Sequence, residues 1–310
     1  MINLDKLTTE QRNPATKHID QLPTLEMVTL INKEDQGVAL AVEKILPQIA
    51  AAIDLITEKL QRGGRLFYLG AGTSGRLGIL DAVECPPTYG TEPELVQGLI
   101  AGGASAIFRA KEGAEDDPEL GRADLQEAGF TSQDVLVGLA ASGRTPYVKG
   151  ALSYAREIGA AAIALACTEE AEIAKLADIA LLPVTGPEVV TGSTRLKAGT
   201  AQKMVLNMLS TGTMVKLGKV YGNLMVDVKA TNAKLSERAL RIVMAAAGCQ
   251  RKAAEAALMR AGGQAKLAIL IALTGCTPAE GRLRLGMSQG RLASALQPAP
   301  KADEEPPEEN

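Results

Sequence analysis

Five short apolar runs, each followed by a loop and a helical pattern, constrain this chain more than any other feature. They are Arg65–Leu69, Leu95–Ala101, Asp134–Leu139, Ala161–Ala166 and Asp178–Pro183. Strand-like runs alternating with helices predict an α/β architecture, a doubly wound parallel five-stranded sheet flanked by helices. Ligands of such sheets bind beyond the carboxyl ends of the strands. Three hydroxyl-rich loops fall there: YLGAGTSGRLG (Tyr68–Gly78), GLAASGRTPYV (Gly138–Val148) and GPEVVTGSTRLKAGTAQK (Gly186–Lys203). The third adds spaced cations, Arg195, Lys197 and Lys203, where a loop turns into a long helix. A helix start presents free backbone N–H groups and a positive dipole end, so it suits an anion such as a sugar phosphate. Three such loops imply one polar phosphorylated ligand.

Elsewhere the pattern is helical. Between Thr24 and Gln61, Val38, Val42, Ile45, Leu46, Ile49, Ile53 and Ile56 recur mostly three or four apart, with Pro47 placed to kink the helix. Residues 1–22 are polar and read as irregular chain wrapping a neighbour or a second subunit. Thr194 to about Tyr221 reads as one long helix. From Ser236 onward the segments Glu237–Ala247, Gln250–Ala261, Ala265–Leu273, Pro278–Leu285 and Ser288–Ala295 predict a small all-helical C-terminal domain, turned at Gly248, Gly262–Gly263 and Gly275. The tail PAPKADEEPPEEN is too rich in Pro and Glu to bury itself, so disorder is expected there.

Composition excludes several classes of function. The net charge of −3, with no Trp, three Phe and five Tyr, gives neither a basic footprint nor a stacking platform for nucleic acid. No apolar run approaches the roughly 20 residues of a membrane span. The start, MINLDKLTTEQRN, lacks the order of a signal peptide. Cys85, Cys167, Cys249 and Cys276 are widely separated, and His18 is the single histidine. Neither a disulfide framework nor a Cys/His zinc site is expected. The expectation is a reduced, cytoplasmic protein with no metal, no cofactor, and no nucleic-acid or membrane partner.

GAGTSGRLG contains GxGxxG as Gly70, Gly72 and Gly75, the pattern of a dinucleotide loop. Thr73 and Ser74 put hydroxyls where a pyrophosphate site wants bare backbone, and no acidic residue ends a second strand about 20 residues on. A monophosphate is favoured over NAD. In ASGRT, Ser142, Gly143 and Thr145 can offer hydroxyls and amides, although helix capping by Ser or Thr explains that loop alone equally well. Two acidic segments stand out. DAVECPPTYG puts Glu84 at the end of a helix, where a carboxylate is unfavourable, before a rigid Cys85-Pro86-Pro87 turn. EGAEDDPE clusters Glu112, Glu115, Asp116, Asp117 and Glu119. A surface charge and a solvated acidic loop are the plain explanations, and composition does not choose a catalytic member from either.

The chain resembles the N-acetylmuramic acid 6-phosphate etherases, which are built on the sugar isomerase (SIS) domain. The resemblance runs from about Thr24 to Leu296. It rests on LGAGTSGRLGILDAVECPPTYG, EGAEDD, ASGRTPYV, GPEVVTGSTRLKAGTAQK and GNLMVDVKATNAKL (Gly222–Leu235). The Gly186–Lys203 signature is shared with the glucokinase regulatory protein; ECPPTYG combined with EGAEDD points to the etherase. The resemblance implies a flavodoxin-like SIS domain over 57–235, preceded by an N-terminal segment and helices (1–56). A small UBA-like helical domain (236–297) and an acidic tail (298–310) follow. It implies a homodimer that cleaves the D-lactyl ether in cell-wall amino-sugar recycling, its site drawing on both subunits. Glu84 is implied as the acid for lactate and Glu115 as the base at C2. Thr73, Ser74, Ser142, Gly143, Arg144, Thr145, Ser193, Thr194 and Lys197 are expected to hold the substrate. Two rivals are a sugar-phosphate-sensing regulator and a sugar phosphate isomerase. The first generally has two SIS domains in a chain twice this length, and the second commonly uses a histidine.

Overall fold

The computed structural model describes residues 9–228 and 233–297. The acidic tail, the first eight residues and part of the GNLMVDVKATNAKL motif lie outside the described residues. After two 3-10 turns, Pro14–Thr16 and Ile19–Gln21, come α1 (Thr24–Glu43) and α2 (Leu46–Gln61). One kinked helix was expected here, and the chain instead breaks into two. Pro47 lies in the first turn of α2, where its missing N–H costs nothing. Continued into α1, its ring would collide with the carbonyl four residues earlier.

The sheet follows: β1 (Leu66–Gly70), α3 (Gly72–Tyr89), β2 (Val96–Ile100), α4 (Pro118–Glu127), β3 (Val135–Leu139), α5 (Pro146–Glu157), β4 (Ala161–Leu165) and β5 (Ile179–Leu181). All five strands pair in parallel in the order β2-β1-β3-β4-β5. Strands β1, β3 and β4 are buried at every residue, as helices on both faces require. Arg65 braces the sheet's amino end, donating through its amide (2.8 Å) and its guanidinium (3.1 and 2.8 Å) to the Asp134 carboxylate. Phe67, Leu69, Leu136, Tyr147, Val148 and Leu152 centre the core on the α4–α5 side. The order reverses at β1: the chain leaves it for β2 on one side and returns to β3 on the other. The cleft between the carboxyl ends of β1 and β3 is the topological switch point.

Helix α3 runs through Pro86 and Pro87 to Tyr89, so the expected rigid turn is the last stretch of the helix and Glu84 lies within it. Helix α6 (Lys197–Lys216) starts later and ends earlier than the expected long helix. Beyond it the antiparallel pair β6 (Val220–Tyr221) and β7 (Leu224–Met225) was not anticipated; strands of two residues leave almost no alternation to read. Then come α7 (Ala233–Ala247), α8 (Arg251–Arg260), α9 (Ala265–Thr274), α10 (Pro278–Met287) and α11 (Leu292–Ala295). Leu240, Val243, Leu267, Leu270 and Ile271 pack at their centre. The chain divides into two compact units. One holds the chain up to Pro86 together with Thr91–Thr213; the other holds Pro87–Gly90 and the chain from Met214. Among the described residues no single helix is long and apolar enough to cross a membrane.

Candidate active site

A cavity of about 400 Å³ opens at the switch point. Its first wall is the start of α3. The amides that head a helix have no partner within it, and here those of Gly72, Thr73 and Ser74 come directly after β1, where Thr73 and Ser74 line the cavity. Ser74 Oγ donates to Gln202 Oε1 of α6 at 2.9 Å. The second wall is the loop after β3, with Ser142, Arg144 and Thr145. Thr145 is the N-cap residue of α5 yet makes no side-chain capping bond, so capping does not account for its hydroxyl. Arg144 Nε donates to Glu172 Oε1 at 2.8 Å, and Lys149 Nζ donates to the other oxygen at 2.8 Å. These two cations hold the Glu172 carboxyl below its ordinary range. Thr194 lines a third side.

Glu115 also lines this cavity. It stands in a 3-10 turn, Ala114–Asp116, just before α4, whose first amides are capped by Asp117 (2.9 Å to Glu119 N). A smaller hollow of about 160 Å³ adjoins on the far side of Glu115, with Arg76, Lys111 and Glu112 in its wall. The cavity therefore offers two helix starts, five hydroxyl side chains, one guanidinium and three carboxylates, Glu115 among them, at the carboxyl edge of the sheet. That set can hold a phosphate by its oxygens while a carboxylate accepts a proton from a neighbouring carbon.

Four expected residues are not brought to this cavity. Gly143 shapes the loop: its φ is +70°, and a Cβ there would lie 2.5 Å from that of Ala171, so only glycine fits. Ser193 is half-buried and does not reach the wall. Lys197 is 4% exposed, and its Nζ donates to Glu34 Oε2 at 2.8 Å. The expected anion seat at the start of α6 is already filled by a side chain. The buried Glu188 carboxylate accepts from Lys197 N and Ala198 N, each at 2.9 Å. Glu84 is exposed on α3, about 18 Å along the helix from Gly72 at 1.5 Å per residue, and lies outside the cavity wall. One copy of the chain does not bring Glu84 and Glu115 together.

Residues the sequence did not single out also line the cavity: Glu10, Asp116 and the Gly192 backbone. Glu10 belongs to a polar stretch with no periodicity, and Asp116 is one carboxylate among several neighbours. Behind the α3 wall, Asp81 accepts from Ser210 Oγ of α6 at 3.1 Å, while Asp81 Oδ2 and Tyr68 Oη are buried with no partner apart from each other. Burial pushes the Asp81 carboxyl up to about 6, against the opposing pull of its neighbours.

Residues 48–156 match the model of the glucokinase regulatory protein N-terminal SIS domain, 123–212 the SIS domain, and 222–267 the C-terminal lid domain of the same regulator. Among solved structures, a phosphoheptose isomerase from Neisseria gonorrhoeae is 20% identical, with a TM-score of 0.49, covering 62% of this chain and 98% of that one. The N-acetylmuramic acid 6-phosphate etherase of Clostridium beijerinckii is 60% identical over 296 residues, 96% of this chain and 97% of that protein. The etherase of Aeromonas hydrophila is 60% identical over 292 residues, 94% of this chain and 98% of its own length. With identity at this level over nearly the whole of both chains, the chain belongs to the N-acetylmuramic acid 6-phosphate etherase family.

Proposed function

We propose that the protein cleaves the D-lactyl ether of N-acetylmuramic acid 6-phosphate, giving N-acetylglucosamine 6-phosphate and D-lactate. The observation that carries this is one cavity in which two hydroxyl-rich helix starts face Glu115. The 6-phosphate binds the amides and hydroxyls of Thr73, Ser74, Ser142 and Thr145, with Arg144 and Thr194 beside it. In the open-chain aldehyde the C1 carbonyl acidifies the C2 proton. Glu115 takes that proton, the electron pair forms the C2–C3 double bond, and the C3–oxygen bond breaks. The departing lactate oxygen takes a proton from Glu84. Water then adds at C3 and a proton returns to C2. Each positioned proton transfer contributes about 10²–10⁴-fold.

Since Glu84 lies away from its own chain's cavity, this mechanism takes Glu84 from a second copy in a homodimer. Leu80, one turn before Glu84 on the same face of α3, and Val83 beside it are 42% and 58% exposed and support an apolar contact there. The catalytic part is 57–235, followed by the helical part 236–297, in the reduced cytoplasm. Among the described residues all four cysteines are unpaired.

The test is D-lactate release with EDTA present, from the 6-phosphorylated and the unphosphorylated sugar. Release from the phosphorylated sugar alone is expected; equal turnover of both would overturn the phosphate assignment. Proton NMR in D₂O separates the carboxylates. Glu84→Ala is expected to keep C2 exchange and lose lactate release, and Glu115→Ala to lose both. The reverse pattern would exchange their roles.

A further inference from the structure

Lys197 lies away from the cavity and Glu10 in its wall, and hydrogen bonds lead from Lys197 through Glu34 to Asn13, three residues along the chain from Glu10. Lys197 Nζ donates to Glu34 Oε2 (2.8 Å), and Asn13 Nδ2 donates to the same oxygen (2.7 Å). The lysine and this amide together draw the Glu34 carboxyl below its usual range. Asn13 also reaches Pro187 O at 3.4 Å, and Thr16 Oγ1 donates to Val189 O at 2.8 Å. Thr9, Asn13 and Thr16 are all buried. Residues 9–16 are thus a strap fastened to the segment that leads into α6. The strap carries Glu10 to the cavity rim, where its Oε2 lies 3.2 Å from the position a Cβ on Gly192 would take. A buried lysine in a hydroxyl-rich loop is used here to hold the strap rather than an anion.

From this placement we infer that Glu10 is a substrate-contacting residue that accepts hydrogen bonds from the hydroxyls of the sugar chain, with Asn13, Glu34 and Lys197 as its positioning residues. This rests on the proposed etherase reading. An ionised carboxylate accepts only and repels a phosphate, so Glu10 does not serve the phosphate end of the cavity. That end is served by the starts of α3 and α5. A polyol has hydroxyl donors in need of acceptors; the Thr, Ser and Arg walls are mainly donors to an anion, Glu115 and Asp116 stand together on the α4 side of the cavity, and Glu10 is the carboxylate beside Gly192. Glu10 thereby favours a phosphorylated sugar over a bare phosphate.

The experiment measures inhibition constants of inorganic phosphate and of N-acetylglucosamine 6-phosphate in the lactate-release assay, for the full chain and its variants. Glu10→Ala is expected to weaken the sugar phosphate roughly tenfold or more, the effect of losing a hydrogen bond to a charged group. Inorganic phosphate should bind as before or more tightly. Asn13→Ala, which keeps Glu10 and releases the strap, should show the same split, and the double variant should lose little more than either single one. Equal weakening of both ligands, or no weakening of either, would overturn the inference. Where Glu10→Ala loses all turnover, binding of the same two ligands by calorimetry gives the same comparison, and unchanged melting temperatures exclude unfolding. An inactive parent chain would fail the etherase reading itself, while an active parent with unchanged Glu10 variants would fail only this one.

Discussion

Asp81 shows how one buried carboxyl can set a pH dependence. Its unfolded value is 3.8, and burial raises it to about 6 in the folded chain. Between those values the native state holds more protons than the unfolded state, so stability falls as pH rises. This group's contribution is fully present below about pH 4 and lost as pH climbs through about 6. Asp81→Asn keeps an acceptor for Ser210 and places a neutral amide beside the buried Tyr68 hydroxyl. It should stabilise the protein at pH 7.5 by about 1–3 kcal/mol, since one pKa unit is worth about 1.4 kcal/mol. The gain should shrink towards pH 4. Denaturant unfolding of both proteins at the two pH values checks this; a less stable Asp81→Asn at pH 7.5 would contradict it. At this scale the sequence was uneven. That Thr73, Ser74, Ser142, Arg144, Thr145 and Thr194 line one cavity was legible, because all lie in the hydroxyl-rich loops beyond the carboxyl ends of the strands. The pairing of Lys197 was not legible because its partner, Glu34, is 163 positions away, and no local pattern reports a long-range ion pair. Glu10 carried no local signal at all.

The elements place Glu115 through a tight helix pair. A Cβ on Gly150 of α5 would stand 1.8 Å from Pro118 O, and one on Gly121 of α4 would stand 2.0 Å from Tyr147 O. The two helices therefore meet backbone to backbone. Tyr147 Oη locks them further, donating to Asp124 Oδ2 at 2.6 Å. The Glu115 turn leads directly into α4 and the Ser142–Thr145 loop directly into α5, so the spacing of this pair sets the distance from the proposed base to the proposed phosphate seat. Gly150→Ala must push the helices apart. It should cut kcat more than 10-fold, since misplacement of about 1 Å can cost 10²-fold. Inorganic phosphate binding should change much less. Steady-state kinetics with phosphate as competing inhibitor decides, and an unchanged kcat would mean that Glu115 is placed by other contacts. The βα alternation was readable because buried parallel strands are continuous apolar runs. The break before α2 was not, because Pro47 permits either a kink or a first-turn position; nor was the helical path through Pro86–Pro87, because a proline pair at the end of a helix reads locally as a turn.

At the level of the whole molecule, the separation of Glu84 from Glu115 predicts complementation between subunits. Glu84→Ala and Glu115→Ala chains should each be inactive. When unfolded together and refolded, half the dimers are mixed, and each mixed C2 dimer has one intact site of two. Activity should return to roughly a quarter of the parent level. No recovery, with one variant labelled in nitrogen-15 and mixed dimers demonstrated by mass, would place both carboxylates in one chain. The sheet order has a further consequence, for how the molecule breathes. Strands β1 and β3 are buried throughout and hydrogen-bonded on both sides, so their amides open only with global unfolding. The loops that leave those strands open far more cheaply. In deuterium exchange the floor of the cavity should be the slowest part of the chain and its rim among the fastest. Ligand should then slow Gly72–Ser74 and Ser142–Thr145 while leaving β1 and β3 as slow as before, because a strand already at the limit of protection has nothing left to gain.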